Sequence, residues 1–134
     1  MAISCFDDLL LAARQQTQPQ QLLFVFAVAE LPDDASPAQR AGFAQGVGGA
    51  LVPVMCVDKT PDEIMDFAAM KRESIQFVPC WQVLFASSLS GTHHRAPADE
   101  TIKSALERMV EAIKRGAFAN MIAFDDAGRT IRLE

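Results

Sequence analysis

The chain has 134 residues, half of them hydrophobic and 22% charged, with a formal net charge of −5. This is the mix of an ordinary globular protein, and the length is that of a single domain spanning 1–134. The acidic balance and the scattered basic residues, densest at Lys71-Arg72 and Lys114-Arg115, speak against a nucleic-acid surface, which needs clustered cations.

The three cysteines, Cys5, Cys56 and Cys80, form no C-x-x-C and are odd in number. They fit neither a disulfide framework nor a thiolate zinc site, and a reducing cytoplasm is the compartment expected from them. The amino-terminal residues have no basic segment, and Asp7 and Asp8 interrupt them before any apolar run, unlike a secretory signal. The longest apolar run, Leu22 to Ala29, is too short to span a bilayer, so no membrane association is expected.

Ser4 to Asp7 has the form of a capping box. Phe6, Leu9, Leu10 and Ala13 follow at helical spacing, predicting a helix over 4–16. A glutamine-rich connector then leads to Leu22–Ala29, a run without polar interruption that reads as a strand buried on both faces. Ser36-Pro37-Ala38-Gln39 is a second capping box and predicts a short helix to about Gln45, ended by Gly46-Val-Gly-Gly49.

Ala50 to Val57 is the next apolar run. Its Pro53 cannot donate to a ladder and belongs at a strand start, a bulge or an edge. Thr60-Pro61-Asp62-Glu63 repeats the capping signature and predicts a helix carrying Ile64, Phe67 and Ala68 and reaching about Glu73. Trp81 to Ser87 reads as a third strand, and Ser88 to Pro97 as a polar loop. Ile102, Ala105, Leu106, Met109, Val110 and Ile113 form the clearest helical stripe of the chain. Asp99 and Glu100 at its start and Lys114 and Arg115 at its end match the helix dipole, and Gly116 suits its C′ position. Asn120–Phe124 and Thr130–Leu133 flank a turn at Asp125–Gly128, which predicts a terminal hairpin with Arg129, Arg132 and Glu134 guarding its edge. The order α-β-α-β-α-β-α-β-β predicts a layered α/β domain of about five strands and four helices with a mixed, largely parallel sheet.

Two segments could carry chemistry. In the loop after the third strand, the hydroxyls of Ser90 and Thr92 with Arg95 could hold an anion, and His93 or His94 could move a proton. At Cys56-Val-Asp58-Lys59-Thr60 a strand runs into a helix start, where a cysteine can become more acidic and where Asp58 and Lys59 would face that loop. The adjacent His93 and His94 are the only histidines, so a metal shell would have to be completed by aspartate or cysteine, and no metal or other cofactor is expected. Ser88-Leu-Ser90-Gly91 lacks the first glycine of a nucleophile elbow. Gly46–Gly49 follows a helix and precedes a strand, the reverse of a dinucleotide fingerprint.

Leu31 to Ala35, Gly48 to Pro61 and Arg108 to Lys114 resemble, over most of the chain, a family of short, uncharacterised proteobacterial proteins. The name ribonucleotide reductase subunit alpha is in use for some of them. The residues here give that name no chemistry: the chain is far shorter than a reductase large subunit, and no Glu has a His three positions on, as a di-iron partner subunit would need. Leu51 to Val54 followed by Thr60 to Glu63 is similar to SseB-like domains, a resemblance that implies an interaction domain rather than an enzyme. The expected function is accordingly a non-catalytic binding module that self-associates. The alternative is an anion-binding protein or small enzyme built from residues 88–95 and 58–60.

Overall fold

The computed structural model describes residues 3–30, 37 and 50–133. The elements among them are α1 (Phe6–Arg14), β1 (Gln20–Glu30), β2 (Ala50–Lys59), a single 3-10 turn (Pro61–Glu63), α2 (Phe67–Ser74), β3 (Val83–Ser90), α3 (Asp99–Lys114), β4 (Ile122–Phe124) and β5 (Thr130–Ile131). The five strands form one sheet in the order β2-β1-β3-β4-β5, and every neighbouring pair is antiparallel.

This overturns the expected largely parallel sheet of about four helices: the fold is α+β, with three α-helices among the described residues. The physical reason lies in the placement of β1. Strands β2 and β3 do run the same way, as a helical crossover between them requires. They are not neighbours, because β1 lies between them and pairs antiparallel with each. Alternation of helices and strands along the chain is the same whether or not a third strand is inserted, so the pattern could not report direction. The helix expected over 36–45 and the break at 46–49 lie outside the described residues, apart from Pro37.

Strand β1 explains why the sheet is covered on both sides. Its even residues Leu22, Phe24 and Phe26 belong to a core shared with α1, α2 and Trp81. The odd residues Leu23, Val25 and Ala27 belong to a second core under α3, with Phe85, Met109 and Ile113. All six are at most 2% exposed, and each large apolar side chain so buried contributes roughly 1.5–3 kcal/mol relative to exposure. The first core is strongly aromatic. The Phe6 ring lies 5.6 Å from Phe24, 5.4 Å from Phe67 and 5.5 Å from Phe124, and Phe26 lies 5.1 Å from Trp81.

Local hydrogen bonds set the helix limits, and some differ from expectation. At α1 it is Asp8, not Asp7, that reaches back: its Oδ2 accepts from both the backbone N–H and the hydroxyl of Ser4, each at 3.0 Å. These bonds hold the Asp8 carboxyl below the usual carboxylate range. Asp7 instead accepts from the Phe67 N–H at 2.9 Å and so ties α1 to the start of α2.

The helix expected from Thr60 to Glu73 is divided in two. Glu63 does accept from the Thr60 N–H at 2.8 Å, which lowers the Glu63 pKa, but the turn stops at once. Arg14 captures the carbonyls of Pro61 and Ile64, at 3.3 and 2.6 Å, and Asp66 starts a new helix by accepting from the Ala69 N–H at 2.9 Å. A long-range cation and a second cap outcompete helix continuation.

The terminal hairpin forms as expected, with shorter strands. Gly128 is required at its turn: φ is +81°, and a Cβ there would stand 2.8 Å from the Phe67 ring.

Candidate functional site

The two segments singled out in the sequence lie at one end of the sheet, on either side of the start of β1. Leu22 is opposite Lys59 on one side and Ser88 on the other. The glutamines of β1 fill the space between them. Gln20 Nε2 donates to Ser90 Oγ at 2.7 Å, and Gln21 Nε2 donates to Asp58 Oδ2 at 2.7 Å.

Residues 88–90, expected as loop, continue β3, so Ser90 is held in the ladder opposite Gln20. The segment that follows is a hairpin of its own. Thr92 and Arg95 exchange two backbone hydrogen bonds, at 3.1 and 2.9 Å, around His93 (φ 52°) and His94 (φ 62°). Two consecutive residues in the left-handed region at a two-residue hairpin loop are the signature of a type I′ turn. The turn is pinned by Gly91, whose N–H donates to the Pro19 carbonyl at 2.8 Å, and by the His94 N–H, which donates to Gln18 Oε1 at 2.8 Å. A Cβ at Gly91 would meet the Arg95 carbonyl oxygen at 1.9 Å. Thr92, His93, His94 and Arg95 are all exposed.

Asp58 and Lys59 do not act together. Being adjacent on a strand, they take opposite faces. Asp58 lines a groove against α3, whereas Lys59 lines a smaller cavity against α2 and its Nζ is 3.1 Å from Glu73 Oε1. Among the described residues Arg95 makes no salt bridge with Asp58, and no group of three or more His, Cys, Asp or Glu side chains could hold a metal ion.

One concavity was not foreseen. A groove of about 730 Å³ runs between the outer strand β2 and α3. Its floor is Cys56 and Asp58, and its wall is one flank of α3. That flank has an apolar ridge, Ile102, Leu106 and Val110, and a charged ridge, Asp99, Lys103, Glu107 and Glu111, each repeating every four residues. The signal was present in the width of the α3 stripe. Ile102, Ala105, Met109 and Ile113 seal the helix onto the sheet, while Leu106 and Val110 remain half-buried.

The β2 edge is long but not uniform. Phe26 pairs with Met55 and Ala27 with Pro53, so Val54 is an extra residue in a bulge. Pro53 therefore occupies both an edge strand and a bulge, two of the places expected for it. A proline and a bulge blunt an exposed edge against open-ended strand addition. Val54, 41% exposed, and Cys56 remain open beside the groove. On the opposite face a cavity of about 270 Å³ is lined by Met55, Val57, Met70 and the exposed Phe77.

No helix among the described residues is long and apolar enough to cross a membrane. No family model, curated protein or solved structure matches the chain.

Proposed function

We propose that this protein is a non-catalytic interaction module that self-associates, and that its interface is the groove between α3 and the β2 edge. The observation that carries this reading is the groove itself: Leu106 and Val110 of α3 left half-covered, beside an outer strand. The position of α3 favours a second copy as the occupant. The helix packs on β2 and β1. Strands lie about 4.8 Å apart. A copy placed across the β2 edge, with its own α3 on the same face, would bring the two helix axes to about 10 Å, the spacing at which helices interdigitate. Val54 and Cys56 would then be covered, and Pro53 with its bulge would keep the assembly closed rather than fibrous.

The anion-binding alternative has less to work with. Lys59 is engaged by Glu73 and faces away from Asp58, so Arg95 would be the only cation of the seven residues proposed for it that makes no salt bridge among the described residues.

The test is sedimentation velocity from micromolar to submillimolar concentration, with Cys56→Glu as the disrupting variant. Cys56 is exposed, so the substitution leaves both cores intact, yet it places an unpaired charge in the groove floor. The expected result is a wild-type dimer and a folded, monomeric variant. A wild-type chain that stays at monomer mass throughout refutes the reading.

A further inference from the structure

We infer that self-association through this groove is controlled by ionic strength: two copies repel each other at low salt and pair as salt rises. This rests on the self-association reading above. The carrying observation is the charge of the groove lining. Asp58, Asp99, Glu107 and Glu111 set four carboxylates there against the one ammonium of Lys103, a net of −3. All five residues are exposed. Lys114 reaches Glu111 at 3.4 Å, and with it included the face is still −2. The rest of the chain is acidic on balance as well, the total being −5.

A pair formed across one edge, with α3 beside α3, is isologous: each copy presents the same patch to the other. The repulsion therefore holds for either direction of the helices and for any register, because an acidic patch always meets an acidic patch. The attraction comes from Leu106 and Val110, the half-buried residues of the groove, and salt does not screen it. With helix axes about 10 Å apart, the facing charges lie well inside the screening length of about 30 Å at 0.01 M salt, and beyond the roughly 8 Å that holds at 0.15 M. Screening the repulsion between two patches of −3 over this range tightens the pair by about tenfold. A dimer held by ion pairs responds in the opposite sense and loosens as salt rises.

The experiment measures the dimer dissociation constant by sedimentation velocity in NaCl from about 0.01 M to 0.15 M, for the wild-type chain and two double variants. One carries Glu107→Gln with Glu111→Gln, which removes two charges from the groove and keeps good helix formers in α3. The control carries Asp62→Asn with Asp126→Asn, two exposed acids outside the groove, and has the same net charge as the first. The wild-type dimer is expected to tighten about tenfold over the salt range, and the control to follow it. The glutamine variant is expected to pair roughly tenfold more tightly than wild type at the lowest salt, and to change less than about twofold across the range. Equal net charge in the two variants separates the groove's own field from that of the whole chain. A dimer that Cys56→Glu disrupts but that salt leaves unchanged or loosens overturns the control by ionic strength and leaves the groove interface standing. The same holds if the glutamine variant behaves like the control. A wild-type chain that is monomeric at every salt concentration overturns both.

Discussion

The buried contact between Ser74 and Trp81 permits the most direct test of how the first core is held. Trp81 Nε1–H donates to Ser74 Oγ at 2.8 Å, and both residues are 3% exposed. Ser74→Ala leaves the indole N–H without an acceptor in a site closed to water, at a cost of about 1–3 kcal/mol. The other bond of Ser74, from its hydroxyl to the Lys71 carbonyl at 2.9 Å, matters less, because that carbonyl also accepts from the Ile75 N–H. The better helix propensity of alanine offsets a few tenths of a kcal/mol. With an unfolding entropy of about 2.1 cal/mol/K per residue over 134 residues, the melting temperature should fall by roughly 4–11 °C. Trp81 is the only tryptophan and the chain has no tyrosine, so intrinsic fluorescence reports this site alone. The attribution to the orphaned N–H is checked in a Trp81→Phe background, where Ser74→Ala should cost markedly less. The reasoning is refuted if Ser74→Ala costs under about 0.5 kcal/mol, or if its cost is the same with and without the indole.

The turn at His93 and His94 offers a stabilising change: His93→Asn combined with His94→Gly relieves two left-handed histidines and should add about 0.5–1 kcal/mol in urea denaturation. No gain would mean that the turn's backbone carries no strain. The caps at Asp8 and Glu63 predict an acid-side dependence. Their folded pKa values lie below the ordinary range, so the stability they contribute is complete above the unfolded pKa of about 4 and is lost as pH falls through the lower folded values. Asp8→Asn should therefore flatten the decline in urea midpoint on acidification, and an unchanged slope would exclude the Ser4–Asp8 bonds as its source.

Much of the local structure was legible in the residues. The uninterrupted run Leu22–Ala29 could only be satisfied by apolar cover on both sides, and β1 has it. The stripe from Ile102 to Ile113, with acids first and bases last, became α3 as expected. Pro53 foretold an edge or a bulge. What failed was whatever depended on distant partners. The helix after Thr60 broke because Arg14 and Asp66 took its backbone groups, and Arg14 arrives from 47 residues away. Residues 88–90 were drawn into β3 by pairing with β1. At the candidate site, spacing brought Asp58 and the 88–95 segment to one end of the sheet, but Gln20 and Gln21 stand between them.

The sequence by itself determined where the first and last helices and the main strands lie, that Gly116 and Gly128 end or turn the chain, and that one strand is buried on both faces. These follow from periodicity and from side chains acting on their own backbone, which are properties of a few neighbouring residues. Tertiary structure alone decided that β1 separates β2 from β3, and hence that the sheet is antiparallel throughout. It also decided that α3 lies toward the β2 edge and leaves one flank over a groove. Strand direction and neighbour choice carry no local signature, because a buried strand presents the same apolar faces whichever way its neighbours run.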